Sequence, residues 1–120
     1  MYERILATVY ISHLTESDWG KSILIMRKDG LAFARIYWFN DDNTTVYLDW
    51  LSVYETIRNC GVGTDLQEIR EKIGKSMGAK YSCLWVKKDT WMREWYEKRG
   101  YEYWKEYKNE ENAIWMQKAI

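Results

Sequence analysis

Apolar and polar positions alternate along much of this chain, and two stretches switch to a spacing of three and four. Alternation predicts half-buried strands, and the wider spacing predicts amphipathic helices. Residues 4–11 alternate enough for a first strand. Residues 12–21 are polar, and Thr15-Glu16-Ser17-Asp18 suits a turn or one short helix. Residues 22–28 and 31–39 are β-rich runs joined by Asp29-Gly30, a hairpin signal. Asn40-Asp41-Asp42-Asn43 is a second turn, and it leads into a strand over 45–53. Leu66, Ile69, Ile73 and Met77 then line one face of a helix over 64–77, with Gly78 as its stop. A strand over 81–87 follows. Asp89 is placed to cap a second helix running to Arg99, where Lys98-Arg99-Gly100 closes it. Residues 101–107 and 113–119 form a last hairpin around Asn109.

The order is an antiparallel N-terminal half feeding a strand–helix–strand crossover, whose two strands pair in parallel. This predicts an α/β mixed sheet, mostly antiparallel, with a helix on either side. At 120 residues the chain has material for one core, so residues 1–120 are read as a single domain.

The candidate chemistry sits between the strand at 45–53 and the helix after it. Arg58-Asn59-Cys60-Gly61-Val62-Gly63 is a glycine-punctuated turn opening onto a helix N-terminus. Glycines let backbone N–H groups crowd onto an anion, and the helix dipole favours negative charge there. Arg58 adds a planar cation at the edge. A phosphate-bearing ligand follows, against the plainer reading of an ordinary strand-to-helix connection. Two other phosphate loops are excluded. A dinucleotide fingerprint needs glycine where this chain has Leu66. Gly-Lys-Ser occurs at 20–22 and 74–76, but the glycine a nucleotide P-loop needs five residues earlier is Thr15 or Ile69.

Composition narrows the partners. Eighteen basic and eighteen acidic residues leave no net charge, so nothing steers the chain toward nucleic acid or an anionic membrane. No apolar run is long enough to cross a bilayer, and the N-terminus does not read as a signal peptide. Two cysteines and one histidine, His13, lack metal-ligand spacing, so no metal is expected and the chain reads as cytoplasmic. Eight Trp and ten Tyr are more rings than one small core hides. They mark a binding surface or homodimer contact, or simply the preference of strands for aromatics.

Element order and two motifs resemble the GNAT superfamily of acyl-CoA-dependent N-acetyltransferases. Arg58-x-x-Gly61-x-Gly63 is similar to that family's pyrophosphate turn. Trp95-Tyr96-Glu97-Lys98-Arg99-Gly100-Tyr101 is similar to the segment that closes the far side of its thioester site. The resemblance spans residues 22–120 and implies acetyl-CoA as co-substrate. It implies pantetheine along Leu51, Ser52 and Val53, and pyrophosphate on the N–H groups of Cys60, Gly61, Val62, Gly63 and Thr64, with Arg58 and Asn59 beside it. The Leu51 N–H polarises the acetyl carbonyl, and Tyr96 stands at the general-acid position. Cys60 contributes backbone rather than a nucleophilic thiol. Two departures stand out. Asp89 replaces an Asn that normally touches the pantetheine, and residues 12–21 are too short for the family's two lid helices.

For the base, Asp49 is at even spacing from Leu51 and Val53, so period-two alternation puts it on their face. The alternative is an acid bound to a neighbouring strand. The short lid points to a large acceptor, a protein or peptide amine. A small-amine acetyltransferase and a catalytically weak module acting through a protein partner are the rival readings.

Overall fold

The computed structural model describes residues 2–120. The elements are α1 (Tyr2–Leu6), β1 (Val9–Ile11), β2 (Thr15–Glu16), β3 (Gly20–Arg27), β4 (Ala32–Phe39) and β5 (Thr45–Val53). They continue with α2 (Val62–Ser76), β6 (Tyr81–Lys87), α3 (Trp91–Glu97), β7 (Glu102–Glu106) and β8 (Ala113–Ala119). All eight strands join one mixed sheet in the order β1-β3-β4-β5-β6-β8-β7, with β2 also against β3. The β5–β6 pair is parallel, and the other pairs are antiparallel.

The chain start departs from expectation. Residues 2–6 are helical because Tyr2, Ile5 and Leu6 recur at three and four, and all three pack on the core. The Lys72 ammonium lies over the Tyr2 ring, 5.3 Å from its centre. Thr8 ends the turn by donating both N–H and hydroxyl to the Ile5 carbonyl. Only residues 9–11 of the expected first strand are extended. Residues 12–19 form no helix; instead Thr15 and Glu16 pair with Ser22 and Lys21 at the outer edge of β3. The β3–β4 turn uses four residues, not two, with Gly30 at φ 76°.

The three helices lie on one side of the sheet, not both. The crossovers β5–α2–β6 and β6–α3–β7 step across the sheet in the same direction. Right-handed connections stepping the same way leave their helices on the same face. The core sits under them, with Ile25, Ile36, Val46, Leu48, Leu84 and Met116 meeting Leu66 and Ile69 of α2. Each such side chain contributes about 1.5–3 kcal/mol on leaving water.

Among the described residues no helix covers the other face. It carries a chain of touching rings from Trp19 through Tyr37, Phe39, Tyr47 and Trp115 to Tyr107 and Trp85. The molecule is correspondingly thin, 36 × 32 × 23 Å. It exposes 7781 Å², where a monomer of its mass exposes about 6900 Å².

Helix α2 lies unusually close to β5 at Gly74, where an added Cβ would stand 2.7 Å from Val46 Cγ1. Gly74→Ala therefore trades helix propensity for overpacking. The expected result is a net loss of about 1–2 kcal/mol, read from the urea midpoint at unchanged slope.

A cleft at the parting of two parallel strands

β5 and β6 pair only over three residues, Thr45–Tyr81, Val46–Ser82 and Tyr47–Cys83. Beyond them β5 runs on to Val53 and β6 to Lys87 without pairing to each other, so the sheet opens into a V. Helix α3 flanks this gap, and the α2 N-terminus lies beside it. Together they enclose a cleft of about 630 Å³. Leu51, Ser52 and Val53 form its floor. Arg58, Asn59, Gly61, Val62, Gly63 and Thr64 line one wall, and Trp91, Met92, Trp95, Tyr96 and Arg99 line the other.

The turn into α2 brings backbone N–H groups to the cleft. A 3₁₀ turn at Glu55–Ile57 brings the chain round, and Asn59 (φ 65°) and Gly61 (φ 80°) take left-handed conformations. Arg58 Nε donates to the Val53 carbonyl at 3.0 Å, tying the loop back to the strand. Gly61 provides no side-chain cap, and the first intrahelical bond is Asp65 N–H to Gly61 O. The N–H groups ahead of Asp65 thus face the cleft mouth as free donors. A Cβ on Gly63 would narrow the cleft to 3.6 Å from Trp95.

Arg99, which sequence reasoning passed over as a site residue, faces the same mouth. Its guanidinium lies 3.4 Å from the Trp95 ring centre and donates to Thr64 Oγ1 at 2.7 Å. Burial lowers its pKa from the ordinary arginine value, partly offset by Tyr96. A cation short of solvent gains more from an incoming anion than an exposed one does. Trp91 and Met92 also went unflagged, while Trp95 opens the second motif. The one legible signal was helical spacing, since 91, 92, 95, 96 and 99 share a face of α3.

Three expectations need correction. Asp49 does not share a face with Leu51 and Val53. The register runs Arg35 opposite Asp49 but Phe33 opposite Ser52, so β5 carries one extra residue, with Trp50 at φ 50°. Such a bulge reverses parity downstream. Val46, Leu48, Leu51 and Val53 all pack toward the helices, whereas Asp49 lies on the open face in an ion pair with Arg35. Arg35 in turn covers Trp50, 4.3 Å from its ring centre. Second, Asp89 stands outside the cleft lining, where it accepts from Asn112 Nδ2 at 2.9 Å. Third, Thr90 rather than Asp89 is the N-cap residue of α3. Cys60 belongs to the turn, with its thiol toward the Arg58 carbonyl at 3.6 Å. His13 is exposed and remote from the cleft.

Tyr96 is where the motif put it. Its ring is 4 % exposed and borders the cleft. Behind it runs a buried polar network. Arg70 donates to Tyr96 Oη (3.1 Å), Gln67 Oε1 (2.5 Å) and the Asp49 carbonyl (3.1 Å). Gln67 and Ser82 meet Tyr101 Oη at 2.8 and 2.7 Å. Glu71 accepts from Gln67, Tyr101 and Lys118. Burial first, then the Glu71 charge, pushes the Tyr101 hydroxyl far above the usual phenol range, so it remains a neutral strut. Among the described residues no group of His, Cys, Asp and Glu is arranged to hold a metal.

The model of the acetyltransferase (GNAT) family matches residues 3–101. Solved structures agree on the fold. An acetyltransferase from Bacillus cereus superposes with a TM-score of 0.65 at 18% identity, over 93% of this chain and 74% of that one. A GNAT family acetyltransferase from Elizabethkingia anophelis with acetyl-CoA bound gives 0.69 at 14% identity, over 94% and 99%. PaiA N-acetyltransferase from Thermoplasma acidophilum in complex with coenzyme A gives 0.68 at 18%, over 82% and 60%. No curated protein sequence matches.

The two thiols are expected to differ sharply. Cys60 is exposed, whereas burial pushes the Cys83 thiol up to about 12. A disulfide reagent at pH 8 should modify one thiol quickly and the second only on unfolding. Two fast thiols would contradict the packing around β6.

Proposed function

Because this chain belongs to the acetyltransferase (GNAT) family, we propose that it transfers acetyl from acetyl-CoA to an amine, most suitably a protein or peptide amine. The observation that carries the reading is the edge of β5 beyond Tyr47, which no strand pairs and which leads to an uncapped helix N-terminus. An extended pantetheine arm fits the unpaired strand edge, and a pyrophosphate fits the turn. The residues present suit the co-substrate. Arg58, Asn59 and the backbone from Cys60 to Thr64 would hold its phosphates, with Arg99 as a second cation. Leu51, Ser52 and Val53 would hold the arm. The thioester supplies an activated acetyl group. The Leu51 N–H is proposed to polarise the carbonyl.

Tyr96 is proposed as the general acid, for it lines the cleft and its hydroxyl carries a proton that a departing thiolate can take. Asp49 is proposed to receive the amine proton, directly or through water, from the open face rather than from the cleft. The acceptor would then approach across the aromatic face while the co-substrate fills the helix side. Residues 12–19 build no lid there, which favours a macromolecular acceptor. Asp89 is left out of the proposed cofactor set.

Acetyl-CoA and CoA should raise the melting temperature and NAD should not. At a hundredfold excess over Kd the stabilisation is about 2.7 kcal/mol. Gly63→Asp should keep the fold, because an acid in the first turn suits the helix dipole, yet abolish the shift. No shift with wild type at millimolar CoA would overturn the proposal.

Tyr96→Phe should lower kcat by about 10²–10⁴-fold with little change in acetyl-CoA affinity. Asp49→Asn should lose most kcat/KM at low pH and recover partly at high pH, where the acceptor amine is already neutral. A pH-independent loss would leave Asp49 a structural partner of Arg35. Peptide amines should be acetylated far better than free polyamines. Preferential turnover of a small amine, with a low KM, would refute the open-acceptor reading.

A further inference from the structure

Arg70 is the largest fully buried side chain in the protein, 1% exposed. It has no ion-pair partner among the described residues. Its guanidinium meets a backbone carbonyl, an amide and a phenol, and its buried Nε has no acceptor. An uncompensated guanidinium in a core is costly, and an apolar side chain of similar volume generally packs there at no penalty. Packing therefore does not explain why a cation stands at this position.

Its placement does. The three groups it bridges come from three elements around the cleft: the Asp49 carbonyl, one residue before the bulge in β5, Gln67 on α2, and Tyr96 on α3. It thus spans the gap where the parallel strands part. A guanidinium donates hydrogen bonds and accepts none. The Tyr96 oxygen must therefore accept from Arg70, and its own O–H is left to point elsewhere. Tyr96 lines the cleft, and no acceptor among the described residues engages its hydroxyl, so the O–H is free to donate to a group bound there.

We propose that Arg70 is a positioning residue for acetyl transfer, which aims the Tyr96 hydroxyl hydrogen at the departing sulfur and holds the phenolate that remains. The inference rests on the acetyltransferase reading above. The C–S bond of the thioester breaks as the amine nitrogen bonds to the acetyl carbon. The sulfur takes the bond pair and then the Tyr96 proton, leaving CoA as a thiol. The phenolate beside Arg70 regains a proton from solvent when the products leave, and the amine proton departs separately. A charge-assisted bond of this kind adds stabilisation only as the oxygen becomes negative, which is when catalysis needs it.

The test combines Arg70→Met, Arg70→Lys and Tyr96→Phe. Arg70→Met should fold, bind acetyl-CoA within about threefold of wild type and lose about 10–100-fold in kcat, the range of one charged hydrogen bond. In the Tyr96→Phe background the same change should cost less than about twofold, because its route to the reaction has gone. Independent losses that multiply would show that Arg70 acts structurally and would overturn the proposal. Arg70→Lys, which keeps the charge, provides the same cycle should the Met variant misfold. A binding readout needs no turnover: CoA should bind wild type more tightly than CoA lacking its thiol. Tyr96→Phe, Arg70→Met and the double variant should each erase that preference to the same extent. Retention of the preference in Arg70→Met overturns the inference alone. Failure of both ligands to bind wild type overturns the acetyltransferase reading and the inference with it.

Discussion

Three residues of parallel pairing, and then none, determine what this molecule can do. β5 and β6 hold each other at Tyr47 and Cys83 and part immediately beyond. From there, one backbone edge of β5 has donors and acceptors with no strand to satisfy them. Unpaired backbone is costly in an interior but useful at an edge, where an extended ligand can complete the ladder. The cleft, the exposed helix N-terminus and the position of Tyr96 all follow from that parting. If the pairing ran on to Val53 and Lys87, the cleft would close.

The extra residue at Trp50 reinforces the parting. It places Leu51 and Val53 on the helix side while Tyr47 and Asp49 keep to the open side. One strand thus addresses both faces of the sheet across a gap, with cofactor-compatible backbone on one and a carboxylate on the other. Arg70 binds the structure together here, since it holds the Asp49 carbonyl and the Tyr96 hydroxyl from a single guanidinium. A flexible join would let Tyr96 and the Leu51 N–H drift apart, and a drift of about 1 Å in a reacting site is enough to cost two orders of magnitude in rate.

The open face is the counterpart of this economy. All three helices share one side, so the sheet's other side depends on ring–ring contacts for cohesion. Tyr37 and Tyr47 stack with centres 5.4 Å apart, and Trp115 and Tyr107 meet edge to face at 5.1 Å. Partial burial there pushes the Tyr37 hydroxyl up to about 12, with Asp49 adding to the effect. The abundance of Trp and Tyr in the composition thus corresponds to a surface, not a second core. The same face carries Asp49.

Strands β3 to β6 and β8, and helix α2, were legible in the sequence, because alternation and three-four spacing record which side of each element meets the core. The turn at 58–63 was legible for a similar reason: glycines at 61 and 63 before a helix are a local backbone requirement. Leu51 to Val53, Arg58, Asn59, Gly61 to Thr64 and Tyr96 all reach the cleft. What the tertiary structure alone decided lies in relations between elements. The face of Asp49 depended on a bulge, which is set by register against β4 and leaves no mark in the alternation of β5. The role of Arg99 required α3 to lie beside the α2 N-terminus. Arg70 reads in sequence as one more polar residue in a helix, and only packing reveals it buried between a strand and a tyrosine. Periodicity reports how one segment meets its surroundings; it carries no record of which segments become neighbours.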